Sequence, residues 1–260
     1  MSRVAVVTGA ARGIGAATVD ALVGAGYRVV AVDRCRDVVG VPYPMATQRD
    51  LDAVVARHGE AVLGLVGDVR SAADMRLAVE TATLHFGRLD AAVACAGVMA
   101  AGGPVWALED QAVDAVWSVN VLGVRRLLEA AAPTLIEGPR GRGRFVAVAS
   151  AGGAMGLRHL AAYVASKHAV VGLVRSAAID LADHGVTVNA VSPGSTRTAM
   201  LEASARVYGL ADTAAFAAQQ PIGRLLEPEE VAAAILWLCS EAAAAVTGAN
   251  LAVDGGMTVA

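Results

Sequence analysis

Near its start the chain reads "VAVVTGAARGIG" over residues 4–15, a short β-branched run that ends in a turn holding three glycines, and the next such run, "RVVAVD", closes at Asp33. Two runs of this kind, separated by a stretch with helical spacing, make a βαβ unit. The pattern recurs at Val4 to Val7, Arg28 to Val32, Val62 to Val66, Ala91 to Cys95, Phe145 to Ala149, Thr187 to Val191 and Leu251 to Val253. These runs are apolar on both alternating positions, as required when helices cover both faces of a parallel sheet. The sequence therefore predicts a doubly wound α/β fold. No Pro/Ser-rich linker or shift of composition divides residues 1–260, so a single domain is expected.

Composition narrows the field of functions. A chain of 260 residues can bury about 75% of the surface its unfolded form exposes. Apolar residues make up 56% of it, above the ~45–50% typical of soluble domains, yet Gly, Arg, Ser or Asp cut the longest apolar runs well before ~18 residues. No segment is expected to span a membrane. The opening "MSRVAVVTGA" enters an apolar run at once, with a Gly-rich turn where a signal peptide would need its cleavage site, so a cytoplasmic chain is expected. Net charge is −3 and the basic residues are scattered, apart from "PRGRGR" between Pro139 and Arg144, which reads as a solvated loop. Nucleic acid has no footprint here. Cys35, Cys95 and Cys239 lie far apart with no CxxC, which predicts reduced thiols, and His58, His85, His159, His168 and His184 show no ligand spacing, so no metal site is expected.

The turn "TGAARGIG", Thr8 to Gly15, has glycines at 9, 13 and 15, a GxxxGxG spacing. Glycine lets the backbone turn sharply and approach a pyrophosphate, while the N-terminus of the following helix offers unpaired N–H groups and a positive dipole. Three glycines at a strand-to-helix junction also serve simply to make the turn. Asp33 tips the balance toward a nucleotide. It ends the second strand eighteen residues past Gly15, close to the ~20 expected of a carboxylate that accepts hydrogen bonds from an adenine ribose. NAD is favoured over NADP, because a 2′-phosphate would bring like charge beside Asp33. Arg12, Arg34 and Arg36 are the residues that could still support NADP. Asp68, ending the third strand in "GDV", is placed either to meet the adenine edge or to cap a helix, and both readings stand.

From Arg34 to Gly59 the chain is longer than a plain crossover requires, with Pro42 and Pro44 ahead of a helix expected to start near Thr47, which Asp50 would help to cap. The excess, at about residues 34–50, is either a tolerated surface insertion or a lid near the cofactor.

Further on, "LAAYVASKHAVVG" over residues 160–172 sets Tyr163 and Lys167 four residues apart, on one face of a helix. Alone, such a pair is an amphipathic one, apolar body in and polar tip out. With Ser150 and the phosphate turn present it becomes a reactive pair, since a tyrosine of pKa ~10 is a poor base unless a neighbouring cation favours its phenolate. Ser150 would hold the substrate oxygen. Asn120, in "VWSVNVLGV", has low helix propensity and suggests a local distortion able to hold a water and relay a proton.

These residues resemble the short-chain dehydrogenase/reductase family along essentially the whole chain. The matching pieces are "TGAARGIG", "GDV" at 67–69, "ACAG" at 94–97, "VN" at 119–120, Ser150, "YVASK" at 163–167, "NAVSPGSTRT" at 189–198 and "VDGG" at 253–256. The resemblance implies a Rossmann fold with a seven-stranded parallel sheet and a homotetramer. It carries a catalytic tetrad onto Asn120, Ser150, Tyr163 and Lys167, with Lys167 also reaching the nicotinamide ribose. It also carries cofactor contacts onto Gly9, Arg12, Gly13, Ile14, Gly15, Asp33, Asp68, Val69, Ala96, Gly97, Pro193, Gly194 and Thr198. Where the family usually has Asn-Asn-Ala-Gly, this chain has Ala94-Cys95-Ala96-Gly97, which puts the polar contacts of that strand end in doubt. The insertion "VPYPMAT" resembles mycofactocin-coupled, carveol dehydrogenase-like members, in which NAD is held without exchange and an external redox peptide reoxidises it. The implied substrate is a small hydrophobic secondary alcohol or its ketone, of the cyclic terpenoid or steroid kind, with specificity from Met200 to Ile222, Met99 and Met155; these residues equally suit ordinary core. The rival expectations are an NADPH-dependent 3-ketoacyl reductase and a cofactor-holding regulator or scaffold without turnover.

Overall fold

The computed structural model describes residues 2–100, 102–138 and 141–259. Seven strands, β1 Val4–Thr8, β2 Arg28–Asp33, β3 Val62–Val66, β4 Ala91–Ala94, β5 Arg144–Val148, β6 Thr187–Pro193 and β7 Asn250–Val253, form one parallel sheet in the order 3-2-1-4-5-6-7. The helices between them are α1 Gly13–Gly24, α2 Gln48–His58, α3 Ala72–Phe86, α4 Asp110–Asn120, α5 Leu122–Glu137, α6 Ala161–Ala182, α7 Ala199–Val207 and α8 Pro228–Cys239. All seven strand runs expected from the sequence are present.

Alternation along β1 explains why the sheet needs helices on both sides. Val4 and Val6 enter a core shared with Met75 of α3, Val116 of α4, Leu127 of α5 and Val170 of α6. Ala5 and Val7 enter the opposite core, with Leu22 of α1, Leu51 of α2 and Ile235 of α8. Burial is complete on both faces only in the central strands. The edge strands β3 and β7 are half-open, and Val66 is 52% exposed, because an edge has a neighbour on one side only.

The insertion ends where the sequence predicts. Thr47 caps α2 with a reciprocal box: Asp50 N donates to Thr47 Oγ1 (3.3 Å) and Thr47 N donates to Asp50 Oδ2 (2.7 Å). The basic run is a different matter. Pro139 and Arg140 lie outside the described residues, and Arg142 is exposed, but Arg144 is buried as the first residue of β5, donating to the carbonyls of Gly141, Gly143 and Ser240. Three backbone acceptors replace the water this guanidinium gives up, so it is no part of a solvated loop. Among the described residues no helix is long and apolar enough to cross a membrane.

Strand order reverses between β1 and β4, which opens a crevice beyond their C-terminal ends. The glycine turn fills its floor. Gly9 (φ 67°) and Gly13 (φ 57°) occupy the left-handed region, and a Cβ on Gly15 would lie 2.0 Å from the Gly9 carbonyl oxygen. By contrast, a Cβ on Gly24, at the far end of the same helix, meets open space. Accordingly, Gly15→Ala should lower stability by about 3 kcal/mol, while Gly24→Ala should raise it by about 0.5–1 kcal/mol. Urea titrations of both variants test this, and equal effects would contradict the packing described.

Candidate active site

A cavity of about 740 Å³ runs along the crevice. It is lined by every cofactor-contact residue expected from the sequence: Gly9, Arg12, Gly13, Ile14, Gly15, Asp33, Asp68, Val69, Ala96, Gly97, Pro193, Gly194 and Thr198. Ser150, Tyr163 and Lys167 line it as well. Asn120 does not, nor does Met155.

At one end, the first turn of α1 has no side-chain cap, leaving its backbone N–H groups free for an anion, and Gly13 and Thr198 approach each other so closely that a Cβ on Gly13 would lie 3.3 Å from the Thr198 methyl. Asp33 is fixed by N–H groups of Ala11 (3.1 Å) and Cys35 (3.2 Å). Asp68 is no helix cap; Ser71 takes that place on α3. Instead, Arg70 donates to it (Nη2 at 2.8 Å), and Arg34 Nε lies 3.0 Å away in an ion-pair contact that lacks hydrogen-bond alignment. Burial pushes the Asp68 carboxyl up, but the Arg70 hydrogen bonds and the Arg34 charge outweigh it, so the group sits below the usual carboxylate range. Two of the three arginines that might have served a 2′-phosphate are therefore engaged: Arg34 by Asp68, and Arg12 by the Pro44 carbonyl (3.0 Å).

The "ACAG" departure leaves no gap. Ala96 N donates to Thr8 Oγ1 (3.3 Å), and Cys95 Sγ lies 3.9 Å from Thr18 Oγ1, so two threonines supply polar contacts at this strand end. Burial pushes the Cys95 thiol up to about 12.

At the other end, α6 carries Tyr163 and Lys167 into the cavity on one face. Lys167 is buried; its Nζ donates to the Val148 carbonyl (2.8 Å) at the end of β5 and lies 5.6 Å from the Tyr163 ring centre. Burial pushes the ammonium down to about 8. Tyr163 is also buried, which moves its phenol upward, while a hydrogen bond with Ser150 pulls the other way. The lowering by Lys167 that the sequence suggests is thus absent from the chain alone, because desolvation of the phenolate dominates. Ser150 Oγ also accepts from Gly152 N (3.0 Å).

Asn120 ends α4 where the chain kinks at Val121 before α5, the distortion its sequence context predicts. Its side chain is held at both ends: Oδ1 accepts from Val98 N (2.8 Å), and Nδ2 donates to Val98 O (2.9 Å) and Ser166 Oγ (3.0 Å). Both N–H groups of the amide are thus engaged, and the side chain ties the loop after β4 to α6, while Oδ1 keeps a second lone pair.

The substrate end is walled by Met99, Leu157, Leu160, Met200 and Tyr208, with Glu202, Ser204 and Gln219 as polar members of the lining. The sequence reading missed Tyr43, which also lines the cavity; the only signal was an aromatic residue held between two prolines. Among the described residues no group of three His, Cys, Asp or Glu side chains is arranged to hold a metal.

The profile of a protein family described as enoyl-(acyl carrier protein) reductase matches residues 9–258. An uncharacterized oxidoreductase of Mycobacterium tuberculosis is 39% identical, across 98% of this chain and 95% of its own length. A 2,5-dichloro-2,5-cyclohexadiene-1,4-diol dehydrogenase of Sphingobium indicum is 38% identical, across 97% and 96% of the two chains. Among solved structures, carveol dehydrogenase from Mycobacterium avium in complex with NAD superposes with a TM-score of 0.94 at 29% identity, covering 99% of this chain and 98% of that one.

The buried ammonium has a consequence for stability. Below about pH 8 the folded protein holds a charged lysine that the unfolded chain would keep solvated, at a cost to folding. Between about pH 8 and 10.5 the folded state releases this proton while the unfolded state retains it, so this contribution to stability rises with pH. The stability of cofactor-free wild type relative to Lys167→Met should be flat below pH 8 and increase above it. A difference constant up to pH 10.5, measured by urea denaturation, would contradict the burial of a charged group here.

Proposed function

The chain belongs to the short-chain dehydrogenase/reductase family, an NAD(P)-dependent oxidoreductase by that membership, and from this premise we propose that it uses NAD to interconvert a hydrophobic, cyclic secondary alcohol and its ketone. The observation that carries the proposal is the convergence of Tyr163, Ser150 and Lys167 on a cavity whose far end is the uncapped glycine turn.

The residues present fit a dinucleotide. A side chain at Gly15 would collide with the Gly9 carbonyl and force the turn open, the free N–H groups of α1 suit a pyrophosphate, and Asp33 faces the cavity with fixed orientation to accept ribose hydroxyls. Val69, Ala96, Gly97, Pro193, Gly194 and Thr198 would complete the contacts. Bound NAD⁺ supplies the hydride acceptor and a positive charge. Tyr163 accepts the hydroxyl proton of the alcohol, and Ser150 holds the same oxygen and stabilises the charge that develops on it. Lys167, anchored on Val148, adds positive charge beside the phenol and can turn toward the nicotinamide ribose. Asn120 takes part by fixing the loop at 97–99 against α6, rather than as a group in the cavity.

The apolar walls support a greasy substrate, and the names of the relatives, dehydrogenases of carveol and of a cyclohexadiene diol, support a ring alcohol. Asp33 and the engaged Arg12 and Arg34 support NAD over NADPH, against a 3-ketoacyl reductase. The insertion supports the finer reading, that NAD stays in place through turnover and an external acceptor of mycofactocin type reoxidises it: Arg12 binds Pro44 across the phosphate end, and Gly40 packs against Gln111. The homotetramer belongs to the same proposal, supported by exposed Trp117 and Leu122 at the junction of α4 and α5.

Purified protein should retain NAD(H) through dialysis and oxidise cyclic alcohols only when an artificial electron acceptor is supplied; rapid exchange with free NAD would reject the retained-cofactor reading. Tyr163→Phe should keep the cofactor and lose turnover by about 100-fold or more, the usual worth of a positioned proton acceptor. Near-normal activity in that variant would reject the assignment of the base.

A further inference from the structure

We propose that Tyr43, carried by the insertion, is a substrate-recognition residue that donates its hydroxyl proton to a second acceptor oxygen of the substrate, remote from the carbon being oxidised. The proposal rests on reading the cavity as an alcohol site.

Tyr43 lies between Pro42 and Pro44 and is buried, 6% exposed, in a cluster with Met99, Leu160, Tyr163 and Ala203. It also lines the cavity. Its hydroxyl oxygen accepts a hydrogen bond from the backbone N–H of Met99 at 3.0 Å. That bond fixes the ring and occupies the acceptor side of the phenol. The O–H proton has no acceptor among the described residues, so donation is what this group has left to offer a ligand. In the empty cavity water can take that proton, and a ligand oxygen placed there replaces the water with a fixed acceptor. Its packing neighbours Met99, Leu160 and Ala203 are apolar, so a donor at this point on the wall distinguishes ligands by where they carry an oxygen.

The position favours substrate over cofactor as the acceptor. Arg12 meets the insertion at Pro44, toward the phosphate end. Tyr43 itself packs on Leu160, just ahead of α6, and on Ala203 of α7, the elements that wall the substrate end. The two phenols of the cluster then divide the work. Tyr163 contacts Ser150 and takes up a proton, whereas burial keeps the Tyr43 hydroxyl protonated, its pKa pushed up to about 12, and Met99 N–H holds it in place.

Tyr43→Phe keeps the ring but deletes both the donor and the acceptor of the Met99 N–H; loss of that anchor is common to every substrate, whereas loss of the donor discriminates between substrates with and without a second oxygen. The test compares cyclohexanol with cyclohexane-1,4-diol, measured on holoprotein with an artificial acceptor. The variant should lose about 3- to 10-fold more in kcat/KM for the diol than for cyclohexanol. Equal losses on both alcohols, or faster loss of NAD(H) without discrimination, would overturn the proposal and leave Tyr43 a latch for the insertion. If wild type oxidises neither alcohol, the activity reading fails on its own, and calorimetric titration of NADH-loaded protein with cyclohexanone and cyclohexane-1,4-dione decides the matter. Weaker binding of the dione alone by Tyr43→Phe supports the proposed donor; equal affinities in the two proteins, or no binding of either ketone, overturn it.

Discussion

Between Gly15 and the carbonyl of Gly9 there is no room for a single carbon. That contact aims α1 into the crevice where the strand order reverses, and the rest of the site is arranged around it. A Cβ on Gly9 would strike the Ala96 backbone at 2.8 Å, so the first turn lies directly against the end of β4. Gly13 meets Thr198 from beyond β6, so the loop that follows the sixth strand closes over the same turn. Three chain segments far apart in sequence thus meet at one backbone-lined groove. A groove walled by backbone N–H groups and glycine suits an extended anion better than an apolar ligand.

At the opposite end, the electrostatics of the chain alone disfavour charge on both members of the reactive pair. Burial pushes the Lys167 ammonium down and the Tyr163 phenol up. The Ser150 hydrogen bond is the one contact that draws the phenol back. A phenol in this condition becomes a proton acceptor only when positive charge enters the cavity beside it, and by linkage the same charge is held more tightly once the phenol has ionised. On the proposed reading of Tyr163 as the base, its activation is coupled to occupancy of the groove at the other end. Lys167 can take part because it is anchored to Val148 rather than to an acidic side chain, so its charge is not cancelled locally.

Local physics made much of this legible in the sequence. β-branched runs, a glycine turn and a Thr47–Asp50 box act within a few residues, and each predicts its element without knowledge of the fold. Tyr163 and Lys167 were legible because helix geometry alone puts them on one face. What could not be read depends on partners distant in the chain. Arg144 looks like part of a basic loop until the carbonyl of Ser240, 96 residues away, arrives to receive it. The ties of the Asn120 amide to the Val98 backbone could not be read either, since they join residues 22 apart across the loop after β4. At "ACAG", the missing amides are offset by Thr8 and Thr18, whose roles follow only from the pairing of β1 with β4. Tyr43 was hidden for the same reason, since its meaning lies in a hydrogen bond to Met99, 56 residues on.

The insertion joins the two ends of the cavity. Pro44 is fixed by Arg12 at the phosphate turn, and one residue earlier Tyr43 is fixed by Met99 at the substrate end. Two prolines flank that tyrosine, so the unfolded segment has less conformational freedom to lose when it docks. A loop held at both places cannot open over one half of the cavity without straining its grip on the other. The proline-bounded stretch thus reaches both ends of the cavity through neighbouring residues, Pro44 at the phosphate turn and Tyr43 at the apolar wall.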